Sequence, residues 1–450
     1  MSRNDAQHVQ RAIISCLNEV STERLRICLE HFHAADIAEV MDSVNVAQGV
    51  KVLRVMDSSK AAMVLMELDP EVVPQFLEGL GRQRIADIFA EMFTDDAVDL
   101  VGELPEDQQK MLLDLMHASD AKSVRDLLKY GKETAGGIMT TEYVAISKDI
   151  TAGQAIEVLR NIAPDAETVY YVYVVNNNNQ LAGIISLREL IVPPPDSLIE
   201  EIMRSNVISV HVRTDQEEVA RMVAKYDILA IPVVNDNREL LGIVTVDDVL
   251  DVMEEEATED IMLMTASMDS EGQEFDAGAL QRAGRRLPWL IVLLFGSLLA
   301  GNVIAGFSSA LEQMATLAFF ITVMAGGPGN VATQSLAVVV RGLATGEVDS
   351  RGIIPIIFKE VRVGLLVGTI CGVVLAVIGY LWMDSPALGL VVGLSLALSM
   401  IVATILGSFF PLIINSFGID PALASGPFIT TLMDVTSMLI YFSLASMILL

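Results

Sequence analysis

The sequence has few cysteines, few aromatic residues and, in its C-terminal part, few charges. Its three cysteines, Cys16, Cys28 and Cys371, show no paired spacing, which indicates a reducing compartment and predicts no disulfide framework. Met1–Gln10 lack the apolar core of a secretory signal peptide. We therefore expect residues 1–286 to lie in the cytoplasm.

Charge is distributed unevenly along the 450 residues. Residues 287–450 hold seven acidic and four basic residues, whereas residues 1–286 hold 51 acidic and 25 basic residues and all five histidines. The net charge of −26 on the first part repels nucleic acid and anionic membrane surfaces, and it attracts divalent cations. The composition therefore predicts a soluble acidic part joined to a membrane part, with no nucleic-acid partner. An enzyme is disfavoured because the membrane part has no histidine and no nucleophile beside a base.

Residues 1–130 are typical of short amphipathic helices, because apolar residues recur at helical spacing between acidic or proline-containing turns. The echo between Ala35-Asp36-Ile37 and Ala86-Asp87-Ile88 indicates a stacked helical repeat. Asp95 and Asp96 fall at a helix start. From this stretch alone they are either solvated carboxylates or part of a site.

Residues 139–190 and 203–250 each carry a strand pattern, an Asn-rich turn, a Gly-led strand pattern and a helix start. The two stretches, YVYVVNNNNQLAGIISLREL and AIPVVNDNRELLGIVTVDDVL, resemble a tandem pair of CBS motifs. The resemblance implies one folded unit, and such pairs often bind adenine nucleotides.

An acidic helix is predicted after the second motif, in Thr245–Met268. Carboxylates at positions 248, 251, 255 and 259 recur at helical spacing, so they share one face and repel one another. The face is either simply solvated or neutralised by divalent cations that bridge it to other carboxylates.

Five apolar segments near residues 287–307, 314–340, 363–382, 387–414 and 428–450 are long enough to span a bilayer. Basic residues precede the first segment and separate the second from the third, whereas the first-to-second and third-to-fourth connections hold none. The positive-inside rule then predicts a cytoplasmic amino terminus and an outside Leu450 at the plasma or inner membrane.

Two features of these segments point to ion transport. The last segment carries a single charge, Asp434, and a carboxylate at that depth requires a partner, a water-filled path or an ion. Its oxygen-bearing neighbours suit a hard hydrated cation such as Mg²⁺ or Ca²⁺. The second segment contains Ala325-Gly326-Gly327-Pro328-Gly329-Asn330, which predicts irregular backbone that faces the same path. Packing alone is the alternative for both features.

The whole chain resembles MgtE-type magnesium channels. The residues that carry this resemblance are Asp420-Pro421-Ala422-Leu423, Thr431-Leu432-Met433-Asp434-Val435-Thr436, the run TVDDVLDVMEEEATEDI, and Gly329-Asn330 followed by Thr333-Gln334-Ser335. The resemblance implies a homodimer in the lipid bilayer, with the pore between the two membrane domains and hydrated Mg²⁺ held at Asp434.

Further site residues are expected from the resemblance. The pore lining would include Gly329, Asn330 and Thr431. Mg²⁺ would bind near the cytoplasmic mouth at Asp420, Glu256, Glu259 and Asp260, and at sensing sites that include Asp95, Asp96, Asp248, Asp251, Asp215 and Glu217. ATP stays open as a cofactor: Tyr171 and Arg188 stand at nucleotide-contact positions, whereas Glu189 and Ile228 replace the aspartate and the aromatic residue expected there.

We therefore predict a multidomain protein. It comprises an all-α acidic superhelical domain in residues 1–130, an α/β CBS pair in 131–252, a connecting helix and linker in 253–284, and a five-helix transmembrane domain in 285–450. The predicted function is Mg²⁺ uptake through a Mg²⁺-selective channel that cytosolic Mg²⁺ closes. The alternative is a broader carrier of divalent cations (Co²⁺, Ca²⁺, Mn²⁺) or a proton-coupled carrier.

Overall fold

The computed structural model describes residues 3–17, 21–41, 44–68, 72–163, 166–265, 279–348 and 352–450. The chain forms two compact units, Met1–Leu250 and Asp251–Leu450.

Short helices build the first part of the first unit, as the sequence predicts. They are α1 (Arg3–Leu17), α2 (Thr22–Leu29), α3 (Ala34–Met41), α4 (Val46–Val55), α5 (Ser58–Met66), α6 (Val73–Gly79), α7 (Arg82–Phe89), α8 (Thr94–Gly102), α9 (Glu106–Leu115) and α10 (Ala118–Leu127). Helices α3, α5, α7 and α9 pack in succession, and α2, α4 and α6 form a parallel succession beside them. The helices are therefore stacked in two layers.

A basic side chain contacts a helix end at two equivalent places in this stack. Lys60 Nζ donates to Leu29 O (2.7 Å), the last carbonyl of α2, and Arg84 Nε donates to Leu53 O (2.9 Å) near the end of α4. The donor follows the acceptor by 31 residues in both cases. The last carbonyl oxygens of a helix lack donors within that helix. Lys60 and Arg84 each donate to such a carbonyl of a helix in the other layer.

The prediction of no disulfide is wrong for one pair of cysteines. Cys16 and Cys28 are joined by a disulfide, with their Cα atoms 6.2 Å apart, while Cys371 is free. The packing of α1 against α2 brings the two residues together, which their spacing of 12 residues does not indicate.

The two CBS motifs form two three-stranded sheets. The elements are β1 (Ala145–Ser147), α11 (Ala152–Ile162), β2 (Tyr171–Val175), β3 (Leu181–Ser186), α12 (Leu187–Ile191), α13 (Ile199–Ile202), β4 (Val210–His211), α14 (Gln216–Tyr226), β5 (Ala230–Val234) and β6 (Leu240–Thr245). In each sheet a parallel pair is followed by an antiparallel pair, β1-β2-β3 and β4-β5-β6.

The first residues of each motif tie the two sheets into one unit. Thr140 exchanges two backbone hydrogen bonds with Ile243 of β6, so the start of the first motif completes the second sheet. Arg204, at the start of the second motif, likewise exchanges two backbone hydrogen bonds with Ile184 of β3. Because each motif depends on a segment of the other, the pair folds as one body, as predicted.

Long helices follow. They are α15 (Val246–Met264), α16 (Ala279–Gly306), α17 (Ser308–Gln313), α18 (Ile321–Ala344), α19 (Ile353–Met383), α20 (Pro386–Ser416) and α21 (Gly426–Ile448), with 3-10 turns at Ala315–Phe320 and Pro421–Leu423. Among the described residues, five stretches are long and apolar enough to cross a membrane, Arg282–Gly306, Ala315–Ala344, Ile353–Met383, Pro386–Ser416 and Gly426–Ile448. The predicted number of spans is confirmed. Part of the predicted linker in 253–284, residues 266–278, lies outside the described residues.

The predicted break in the second span is wrong. Helix α18 continues through Pro328, and the irregular backbone lies earlier, in the 3-10 turn Ala315–Phe320. Proline removes one helical N–H, and neighbouring helices commonly compensate for this in membrane spans. Here Gly329 packs on Thr430 of α21 and Gly327 on Leu396 of α20, so the surrounding helices hold α18 in place.

Candidate metal sites and ion path

Three carboxylates converge in the unit Met1–Leu250. Oxygen atoms of Asp95, Glu167 and Asp248 all lie within 4.8 Å of one another. Asp95 is 5% exposed, and Oε2 of Glu167 is buried without a hydrogen-bond partner among the described residues. Carboxylates so close repel one another unless a cation or a proton intervenes. An all-oxygen set of this kind suits Mg²⁺ or Ca²⁺.

Each carboxylate comes from a different part of the unit. Asp95 stands in the first turn of α8, Asp248 in the first turn of α15, and Glu167 between α11 and β2. Glu142 joins two of these parts, because its carboxylate accepts from Thr94 N (3.3 Å) at the start of α8 and its backbone carbonyl oxygen accepts from Glu167 N (3.0 Å). Backbone and side-chain hydrogen bonds therefore position the cluster.

Burial and mutual repulsion raise the pKa values of the carboxyl groups in and beside this cluster. Burial, and then Glu167 and Asp248, raise the pKa of Asp95 well above its usual range. Burial and Asp248 raise the pKa of Asp96 to about 6 and that of Asp99 to about 7, and burial raises that of Glu167 to about 7, with Asp248 contributing. Burial penalises each charged form, and the neighbouring negative charges add to that penalty.

Only part of the predicted sensing set meets here. Asp95 and Asp248 meet, with Asp96 beside them, whereas Asp251 is an exposed residue of α15. Asp215 is the N-cap of α14 and accepts from Glu217 N (2.9 Å), and Glu217 pairs with Arg221 at 3.6 Å. Asp215 and Glu217 thus have local roles in α14.

Glu167 is the member of the cluster that sequence reasoning missed. It belongs to no motif and to no helix or strand, and its neighbours give no signal of metal binding. Only the packing of its loop against α8 and α15 identifies it.

A second acidic group lies in the unit Asp251–Leu450. Burial, and then Asp420 and Glu256, raise the pKa of Asp260 to about 6. Glu259 is half-buried on the same turn as Asp260, and Asp420 accepts from Ala422 N (2.8 Å) as the cap of a 3-10 turn. The predicted group at the mouth is therefore brought together around Asp260.

The end of α15 packs against the start of α21. Leu263 and Met264 contact an apolar cluster that contains Ile429 and Met433 of α21. Gly426 allows the close approach, because a Cβ built there would stand 3.3 Å from Met264 O. The acidic helix thus ends on the helix that carries Asp434.

Asp434 lies half-buried on α21, one helical turn after Thr430. Gly329 of α18 is buried against Thr430, and Gly296 of α16 packs against Thr431. Both threonine hydroxyls donate to Pro427 O, so their oxygen lone pairs stay available as acceptors. Of the other predicted pore residues, Asn330 is exposed on α18.

Two CBS residues differ from those expected to contact an adenine nucleotide. The carboxylate of Glu189 accepts from Ser186 Oγ (2.8 Å) and pairs with Arg204, so a ribose would have to compete for it. Ile228 offers no aromatic ring on which an adenine could stack. The two other expected nucleotide contacts, Tyr171 and Arg188, are half-buried and exposed respectively.

Family models match most of the chain. The MgtE model, described as a divalent cation transporter, matches residues 321–444, and the model of the MgtE intracellular N domain matches residues 32–133. The CBS domain model matches residues 135–192 and 199–255.

Whole-length relatives and solved structures agree with these matches. The chain is 39% identical to a magnesium transporter MgtE of Thermus thermophilus (96% of this chain, 97% of the relative) and 38% identical to one of Bacillus subtilis (96% of each). It is similar to a crystal structure of the cytosolic domain of the Mg²⁺ channel MgtE in complex with ATP, with 40% identity and a TM-score of 0.53. That similarity covers 54% of this chain and 99% of the other.

Proposed function

The chain belongs to the MgtE family of magnesium transporters, and from this premise we propose a Mg²⁺-selective channel that cytosolic Mg²⁺ closes. The observation that carries the gating proposal is the convergence of Asp95, Glu167 and Asp248 within 4.8 Å. We further propose a homodimer with a cytoplasmic amino terminus and an outside Leu450, supported by the positive-inside pattern.

Asp434 attracts the transported ion. Mg²⁺ dehydrates reluctantly and keeps several waters, so a carboxylate that contacts the hydrated ion suits rapid passage better than a closed cage of ligands. The carboxylates of two subunits would face one path and lower the cost of a dication in low dielectric. Gly329, Asn330 and Thr431 line this path in the proposal.

Cytosolic Mg²⁺ bound at the Asp95, Glu167 and Asp248 cluster favours the closed state. The ion replaces mutual repulsion with shared coordination, so it binds best where the three carboxylates meet. Asp96 lies beside this site and contributes to its negative potential, and Asp251 is a further sensing candidate from the family resemblance. Asp215 and Glu217 remain sensing candidates only through the family resemblance.

Helix α15 links sensing to the pore. It is 19 residues long, or about 28 Å, and it carries Asp248 in its first turn and Asp260 in its last turns. Mg²⁺ that neutralises Asp260, Glu256, Glu259 and Asp420 holds the end of α15 against α21. About 5.5 kcal/mol of differential binding takes a two-state equilibrium from mostly open to mostly closed, which several weak sites can supply together.

Recording from inside-out membrane patches tests the proposal. We expect unitary currents carried by Mg²⁺ and much less by Ca²⁺, and closure as Mg²⁺ on the cytoplasmic side reaches millimolar levels. Glu167→Gln should raise the Mg²⁺ concentration for half-closure. Glu106→Gln, the same charge change at an exposed site in α9, should not.

The outcomes separate the alternatives. Uptake without unitary currents, or a reversal potential that follows the proton gradient, would make the protein a carrier. Equal currents of Mg²⁺, Ca²⁺ and Co²⁺ would make it a broader divalent-cation channel. Closure that ignores cytoplasmic Mg²⁺ would refute the gating proposal alone.

A further inference from the structure

A second carboxylate is hidden inside the helical bundle. Among the described residues, only Asp95 and Glu360 are buried charged side chains, and Glu360 is 8% exposed. Its neighbours on α19, Lys359 and Arg362, are exposed. The basic side chains of this turn therefore point outward, and the carboxylate points into the bundle. Burying an ionisable group there costs free energy, which indicates that the group has a function.

Glu360 has a specific partner on another helix. Ser335 of α18, itself 4% exposed, donates its hydroxyl to Glu360 Oε2 at 2.9 Å. Helices α18 and α19 both pack mainly on α20. The Glu360 side chain thus joins two helices that share a neighbour. An apolar cluster that includes Val339 and Ile356, about one turn from Ser335 and Glu360 respectively, adjoins the bond.

The bond fixes how α18 is rotated. Ser335 follows Asn330 by five residues, which places it about 140° around the helix from Asn330. When Ser335 points toward Glu360, Asn330 points outward and Gly329 lies against Thr430, one turn before Asp434. A rotation of α18 would move all three positions together.

We propose that Glu360 is a positioning residue for the ion path: its hydrogen bond from Ser335 sets the rotation of α18 and thereby the selectivity for Mg²⁺. It need not touch the ion. The inference rests on α18 lining the ion path, as proposed above.

Ion uptake into proteoliposomes with the purified full-length protein provides the test, with Mg²⁺ and Ca²⁺ measured separately. Ser335→Ala should lower the ratio of Mg²⁺ to Ca²⁺ uptake by about tenfold, the effect of one lost charge-assisted hydrogen bond. Glu360→Ala should lower it equally, and the double variant should be no worse than either. Glu360→Gln keeps an acceptor oxygen for Ser335 and should stay near the wild-type ratio.

Ser399→Ala is the matched control. Ser399 of α20 is also fully buried, but its hydroxyl has no hydrogen-bond partner in the part of the chain that the structure describes, so its loss should leave the ratio unchanged. If Ser335→Ala lowers the melting temperature but leaves the ratio intact, Glu360 is only structural and the inference fails. Failure of the pore assignment is distinguishable, because Asp434→Ala would then also transport normally.

Discussion

At the scale of single residues, the protein treats three kinds of carboxylate differently. Glu360 is buried and receives a serine hydroxyl, Asp434 is half-buried on α21, and Asp95 is buried beside other carboxylates. A hydrogen bond stabilises a lone buried charge, whereas repelling charges need a cation or a proton. We propose that these three carboxylates serve positioning, ion passage and ion sensing respectively.

We expect Asp434→Ala to abolish Mg²⁺ uptake while the protein still folds. Loss of the carboxylate removes the charge that draws a dication into low dielectric. Asp434→Asn should also be impaired, because it keeps the shape and loses the charge. Growth of a Mg²⁺-auxotrophic host at limiting Mg²⁺ measures the effect. Rescue by the Ala variant, at wild-type expression, would show that Asp434 is structural.

The raised pKa values predict how pH affects the Mg²⁺-free cytosolic region. Folded Asp96, Asp99 and Glu167 have pKa values of about 6, 7 and 7, whereas unfolded carboxyls titrate near about 4. The folded state thus binds more protons between about pH 4 and 7, so its stability falls as pH rises through that window.

Thermal unfolding of residues 1–265 without Mg²⁺ checks this prediction. We expect a lower melting temperature at pH 7.5 than at pH 5.5, and millimolar Mg²⁺ should raise it mainly at pH 7.5, where the carboxylates are charged. Glu167→Gln should reduce both the pH effect and the Mg²⁺ effect. A melting temperature that instead rises from pH 5.5 to 7.5 would contradict the assignment of raised pKa values.

At the scale of elements, α15 and α21 meet end to start. Leu263 and Met264 are partly buried against an apolar cluster that includes Ile429 and Met433 of α21, and the backbone of Met264 approaches Gly426 closely. The C-terminus of one helix and the N-terminus of another attract because their partial charges are opposite. Neutralising Asp260 and Asp420 would remove the main repulsion that opposes this contact.

Gly426→Val should therefore weaken closure of the channel. A side chain at Gly426 would meet Met264 O at 3.3 Å and Thr333 Cγ2 at 3.2 Å, so the end of α15 must move away. In inside-out patches, we expect currents to persist at Mg²⁺ concentrations that silence the wild type. Gly301→Ala in α16, where a Cβ has open space, is the control. Closure at the wild-type Mg²⁺ concentration would exclude this contact as the gate.

At the scale of the whole molecule, we propose that the acidic part senses Mg²⁺ and the apolar part conducts it. The first 286 residues carry a net charge of −26 after all their basic residues are counted, and ion pairs such as Arg26–Glu30 are exposed. Exposed pairs contribute little to stability. Mg²⁺ bound by several carboxylates should thus compact this part cooperatively, and single neutralisations should shift the midpoint only slightly.

Deletion of residues 1–130 should leave a channel that conducts at Mg²⁺ concentrations that silence the full chain. It removes Asp95, one of the three carboxylates of the cluster, and leaves Glu167 and Asp248. Mg²⁺ uptake by cells with the truncated and the full chain, at matched expression, measures the difference. Normal closure of the truncated channel would show that the acidic helices are only a solvated surface.

The sequence alone determined the features that depend on local pattern. Long apolar runs predict the five spans, the duplicated strand pattern predicts the CBS pair, and the lone charge in the last span identifies Asp434. These features were predictable because span length, strand alternation and the cost of an intramembrane charge are properties of short stretches of chain.

Only the tertiary structure decided which distant groups meet. Glu167 joins Asp95 and Asp248 from a loop without a motif, and Glu360 turns inward while the basic residue before it turns outward. The glycine- and proline-containing run around Pro328 predicted a broken helix, but packing on α20 and α21 keeps α18 continuous. Such outcomes depend on contacts between residues far apart in sequence, and the local periodicity of a helix or strand carries no information about them.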